Sequence, residues 1–132
     1  MEEIEEPPLR VLGDVERACL LRYVETLVTV LGEDLAAVWL FGSVARDEAW
    51  PRGMRIRSDL DLLVVTEAPV RDEDAESLVN ATYPLFLRCG RQISPQFRTR
   101  ADMEQPRDER DAAFLENFRR DAILLWRRPP VT

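Results

Sequence analysis

Two carboxylates two positions apart, Asp59 and Asp61, open the apolar run LDLLVVT. A glycine and a serine, Gly42 and Ser43, close the apolar run LAAVWLF. If each run is a strand, alternation sends both aspartate side chains to one face. At roughly 5 Å and an effective dielectric near 20, two such charges repel by about 3 kcal/mol, and the apolar residues behind them mark an interior strand where unpaired anions are costly. A hard divalent cation offsets that repulsion, and Mg²⁺ (or Mn²⁺) held by a carboxylate pair usually brings substrate phosphates with it. The competing reading gives each aspartate an arginine partner, with Arg46, Arg55 and Arg57 close in sequence. The Gly42-Ser43 bend weighs toward phosphate: glycine lets the backbone turn tightly and approach a ligand, a following helix start offers amides, and the hydroxyl adds a donor.

Composition narrows the chemistry further. The chain has 132 residues, 45% of them hydrophobic, and a formal charge of −7, which suits one domain with one core over residues 1–132. It contains no histidine, and all 18 basic residues are arginine. Imidazole bases, Ser-His-Asp and Cys-His pairs, His-ligated zinc, Schiff-base lysines and the P-loop lysine are therefore excluded. Carboxylates, hydroxyls, guanidinium groups and backbone amides remain. The acidic balance argues against strong nucleic-acid binding, although an arginine-lined cleft on an acidic body can hold a small phosphate compound. Cys19 and Cys89, the only cysteines, make no zinc or redox motif and read as buried apolar thiols in a reducing compartment. No segment is apolar and long enough to cross a bilayer, and MEEIEEPP at the N-terminus is acidic where a signal peptide is basic, so the expected location is the cytoplasm.

The elements that must position these groups follow from periodicity. Residues 1–8 read as a flexible acidic tail. From Asp14, read as an N-cap, apolar residues recur at helical spacing through Leu20, Val24, Leu27 and Leu31, and Gly32 ends the helix. Leu35 to Phe41 is a buried strand with Trp39 in the core. Val44 to Ala49 starts a short helix and residues 50–58 form a loop. Leu60 to Thr66 is a second strand, followed by a helix from about Glu73 to Leu87 that Pro84 must kink or split. Gln92 to Arg98 alternates as a third strand, which Pro95 places at an edge or bulge. Thr99 caps a short helical turn, Asp108 to Arg119 is a helix, and Ile123 to Trp126 a last strand. This order predicts an α/β (α+β) domain, a small mixed β-sheet flanked by helices.

The segments FGSVAR and SDLDLLVV, separated by a spacer, resemble almost word for word the DNA polymerase β-like nucleotidyltransferase superfamily, and within it the minimal, antitoxin-like branch. The resemblance spans roughly residues 36 to 98 and implies a nucleotidyltransferase-like fold. It also implies binding of a nucleoside triphosphate, ATP by expectation, with Mg²⁺, and transfer of its nucleotidyl group to a hydroxyl on a protein or small molecule. By resemblance, Gly42 and Ser43 hold the triphosphate, Asp59 and Asp61 are the catalytic metal ligands, and Arg46 stabilises phosphate charge. In-line displacement at phosphorus needs charge neutralisation far more than covalent help, so the missing histidine and lysine are no obstacle.

The sequence departs from that pattern in three places. The spacer of residues 44–58 is long and arginine-rich, Asp47 stands where the family often has glycine, and the strand QISPQFR has no acid where the family usually places its third carboxylate. Gln92, Ser94 and Gln96 offer only neutral groups there, leaving Glu48 or Asp102 as substitutes from elsewhere. Two functional expectations follow: an Mg²⁺-dependent nucleotidyltransferase, or a catalytically weak or inactive nucleotide-binding, antitoxin-like partner of a small helical toxin. A homodimer is the expected assembly, because so small a domain leaves an open cleft. Haloacid-dehalogenase-like phosphatases and glycosyltransferases fit less well, since their aspartates follow a strand and these precede most of one.

Overall fold

A computed structural model describes residues 12–42 and 59–129. The acidic tail of residues 1–8, the short helix from Val44 and the loop of residues 50–58 lie outside the described residues.

Helix α1 runs from Asp14 to Leu31 and buries Cys19, Leu20, Tyr23, Val24 and Leu27; of the stripe that the spacing predicts, Leu31 is only partly buried. Gly13, not Asp14, is its N-cap: the Glu16 carboxylate accepts the Gly13 N–H at 2.9 Å, which satisfies the helix start one residue early. Gly32 takes a positive φ of 56° and ends the helix. Strand β1 (Leu35–Phe41) and strand β2 (Leu60–Thr66) have the expected bounds. The single helix expected between Glu73 and Leu87 is two, α2 (Asp72–Asn80) and α3 (Thr82–Cys89). The break falls at Ala81, which puts Pro84 in the first turn of α3, where a missing N–H costs least. Strand β3 (Ile93–Thr99) leads directly into α4 (Arg100–Glu104), and the Thr99 hydroxyl accepts the Asp102 N–H at 3.0 Å as its cap. Helix α5 (Glu109–Asp121), capped by Asp108, and strand β4 (Ile123–Arg127) complete the chain.

The sheet is mixed and four-stranded, in the order β3-β2-β1-β4. β1 pairs antiparallel with β2 and β4, while β2 and β3 are parallel and joined through α2 and α3. Pro95 therefore sits on an edge strand, where a residue without an N–H is tolerated. One face of the sheet, through Val38, Leu40, Leu60, Leu62, Val64 and Ile93, packs on α1, α2 and α3 and forms the main core. The other face, through Ala36, Leu63 and Val65, packs on Phe118 of α5, with Trp39, Phe41, Phe114 and Met103 partly buried around it. Trp39 is therefore half-exposed instead of central to the core.

Candidate functional site

β2 is buried on both faces along its length except at Asp61. Its central place between β3 and β1 makes the end where it starts a fixed platform, and Asp59 and Asp61 occupy that end. In the antiparallel register Phe41 lies opposite Asp61, and in the parallel register Ser94 does. The three residues thus share a face, the one covered farther along by α5.

Gly42 follows Phe41 with a φ of 85°, a left-handed conformation that side chains rarely adopt. A Cβ built there would collide with the Asp61 carboxylate, meeting Oδ2 inside any real contact distance and Cγ at 3.3 Å. The sequence suggests a glycine that lets the backbone approach a ligand. Here it lets the backbone lie against Asp61 itself. Glycine is thus required twice at one position, by dihedral and by space.

Asp59 is exposed and accepts the Ser94 hydroxyl at 2.7 Å on Oδ2. Among the described residues its other oxygen has no partner. Ser94 is what the chain places beside the pair, at the point on the adjoining strand where the resemblance leads one to expect a third acid. Alternation in QISPQFR puts Ser94 on the polar face, but that pattern alone does not reveal a hydroxyl aimed at Asp59. Gln92 turns away, donating to the Thr82 hydroxyl at 3.2 Å and to its neighbour's carbonyl. Asp102 cannot serve as the substitute acid. Its carboxylate accepts the Thr99 N–H at 3.2 Å at the start of α4, five residues and about 16 Å along β3 from Ser94. Ser43, Arg46, Glu48, Arg55 and Arg57 lie outside the described residues, as does the whole spacer. Of the site residues read from sequence, the structure brings together Gly42, Asp59 and Asp61.

The wall behind the carboxylates is aromatic. Phe41 meets Phe114 edge-on at 5.5 Å, and Trp39 meets Phe118 the same way at 5.5 Å. Helix α5, which supplies both phenylalanines, is bolted to β3 by an ion pair. Arg98 donates to the two Asp111 oxygens at 2.8 and 2.9 Å, and to the Asp102 carbonyl. That guanidinium, with the Arg107 N–H, holds the Asp111 carboxyl well below the ordinary aspartate range. Asp59 is exposed and Asp61 is half-buried beside Phe41, so a cation held by the pair would be only partly screened by water. Two hard oxygen ligands also match the one or two carboxylates by which Mg²⁺ is usually held.

Comparison with solved structures bears on the fold. A point mutant of the toxin–antitoxin complex MntA-HpeT matches with a TM-score of 0.50 at 14% identity, over 82% of this chain and 72% of that one. A toxin–antitoxin structure with AMP-PNP matches with a TM-score of 0.51 at 13% identity, over 81% of this chain and 73% of that one. Among curated proteins none matches significantly by sequence. The nucleotidyltransferase domain family matches residues 20–120, a stretch running from α1 to the end of α5 and containing Gly42, Asp59 and Asp61. With that match over most of its length and the mixed sheet that the sequence predicts, the chain belongs to the nucleotidyltransferase domain family.

Proposed function

We propose that the protein is an Mg²⁺-dependent nucleotidyltransferase that uses ATP and transfers its nucleotidyl group to a hydroxyl on a protein or small molecule. The observation that carries this reading is the close packing of the Gly42 backbone on Asp61, with Asp59 two residues away and held by Ser94. Asp59 and Asp61 would hold the metal, which supplies charge neutralisation at the transferred phosphorus. Gly42 and Ser43 would cradle the triphosphate, and Arg46 would stabilise its charge. The chain's own work is then orientation: Ser94 fixes one Asp59 oxygen, and Gly42 lets its own backbone lie against Asp61. AMP-PNP, an ATP analogue, is present in one structure of similar fold, which supports ATP as the nucleotide.

A second reading has one observation in its favour. Ser94 is a neutral hydroxyl where a base for the acceptor would be useful. That favours a catalytically weak or inactive nucleotide-binding, antitoxin-like partner of a small helical toxin, and both solved structures named above are toxin–antitoxin complexes. A cytoplasmic location accords with either reading, given free thiols at Cys19 and Cys89. A homodimer belongs to the same proposal and is read by sedimentation. Among the described residues no helix is long and apolar enough to cross a membrane.

Incubation with α-labelled ATP, Mg²⁺ and a cell lysate separates the readings. Label transfer that disappears in Asp61→Asn supports the enzyme. A rise in melting temperature with ATP and Mg²⁺ but no transfer supports the binding partner. If no nucleoside triphosphate with Mg²⁺ or Mn²⁺ shifts the melting temperature, both readings fail.

A further inference from the structure

A concavity lies on the face of the sheet that carries Asp61, toward the opposite strand ends. It encloses about 630 Å³ and is floored by Ala36, Ala37, Trp39, Val65, Phe118 and Leu124. Its depth has a local cause. The β1–β2 register slips between Leu35 and Ala37, and both Ala36 and Ala37 line the cavity. Two consecutive methyl groups therefore stand where one large side chain would fill the space. Helix α5 covers the sheet only as far as Phe118, and β4 is an edge strand, so the hollow stays open on that side.

Its rim is basic on a chain whose net charge is −7. Arg100 from α4, Arg119 from α5, and Arg127 and Arg128 from the end of β4 all line it. Arg100 is paired with Glu67 at 2.7 Å, and Arg119 donates to the Met103 carbonyl at 2.7 Å. Arg128 donates to the Leu35 carbonyl at 3.0 Å and lies over the Trp126 ring. Arg127 is exposed, and among the described residues it makes no ion pair. The lining itself holds four guanidinium groups and no carboxylate, and although Glu67 and Glu104 act on Arg100 the rim stays positive.

The layout of these charges selects the ligand. They come from three elements that border an apolar floor, and Arg100, Arg119 and Arg128 each already hold a protein oxygen, which suits them poorly to close together on one phosphate. The nearest helix start, that of α4, has its cap closed reciprocally by Thr99 and Asp102. A ligand with several separate negative charges around an apolar anchor fits better, which describes an acidic peptide segment with a central large apolar residue.

We propose that this groove docks such an acidic segment of a partner protein, independently of nucleotide at the aspartate pair. Charge complementarity sets the rate and selectivity of such an encounter, and burial of the anchor against Trp39 and Phe118 holds it. The test is fluorescence anisotropy with a labelled twelve-residue peptide carrying one central tryptophan flanked by glutamates, titrated with the full chain in the absence of nucleotide. Saturable binding is expected, weakened about tenfold by Arg127→Glu. It should weaken similarly with Ala37→Leu, which fills the floor while Arg127 stays, and circular dichroism checks that both variants are folded. A version with glutamines in place of the glutamates should bind at least about tenfold more weakly. Equal binding of the glutamine version overturns the proposal, as does indifference to both substitutions. Displacement of the peptide by inorganic pyrophosphate at concentrations where chloride of equal ionic strength has no effect also overturns it, in favour of a phosphate site.

Discussion

Among the described residues, the face of the sheet under α1, α2 and α3 buries seventeen in one cluster, whereas the face under α5 buries four. The first is nearly all aliphatic. Its polar groups are satisfied internally: the Tyr23 hydroxyl donates to the Leu78 carbonyl at 2.8 Å, and Arg91 pairs with Glu16 at 2.9 Å. The second is thin, aromatic and only partly covered, with the aspartate pair at one end and the arginine-rimmed hollow at the other. Among the described residues, Asp61 and the arginines of the hollow are on that thinner side. A closed aliphatic face stabilises the sheet and leaves no room for a ligand, so function falls to the face that one helix covers incompletely.

Substitutions should separate the two faces, and the largest effect is expected at Asp61. Asp61→Asn should lower nucleotidyl transfer by about a thousandfold while leaving the melting temperature near that of the parent chain. Comparable transfer by the variant would remove the metal site from this face. On the other side, Leu62→Ala should cost about 3 kcal/mol in urea unfolding without weakening nucleotide affinity per folded molecule, because Leu62 is fully buried among aliphatic neighbours. Gly42→Ala should cost about 1–2 kcal/mol from the positive φ alone, and it should also weaken ATP binding, since the new methyl displaces the Asp61 carboxylate. A loss of stability with ATP affinity intact would show that the Gly42–Asp61 contact is only structural.

Smaller effects probe how the thin face is held together. Asp111 has a folded-state pKa below its ordinary value of 3.8, so the folded chain binds fewer protons there than the unfolded one. The stability this provides is complete above that value and is lost as pH falls through the folded pKa. Asp111→Asn should therefore flatten the fall of melting temperature in the acid range below about pH 4, and an unchanged slope would deny the Arg98 bolt its role. Ser94→Ala should be the mildest, changing Mn²⁺ affinity by roughly threefold, since it removes one hydrogen bond from an exposed carboxylate. A much larger loss would make Ser94 a ligand in its own right.

Much of this was legible in the residue order. β1 and β2 are contiguous apolar runs between turn formers, and α1 is a clean helical stripe, so local pattern decided them. Thr99 announced its helix as a cap and Pro95 announced an edge, while Asp108, expected as the first residue of a helix, is the cap of α5. The first cap was misplaced by one residue because Glu16, three positions on, captures the Gly13 N–H, and the α2–α3 break was placed only approximately because Pro84 is tolerated inside a first turn. Among the described site residues, Gly42, Asp59 and Asp61 stood out because adjacent chemistry on short motifs needs no long-range information.

The amino-acid order by itself thus determined the strands, the helices, the acid pair, and the exclusion of imidazole and lysine chemistry, because each depends on residue type and near neighbours. Tertiary structure alone decided that Ser94 reaches Asp59 across thirty-five positions. It also decided that Gly42 makes room for Asp61 and not only for a ligand, and that four arginines from three elements ring one hollow. Those outcomes depend on strand register and on how far α5 extends over the sheet, and register is set by the packing of whole faces against one another.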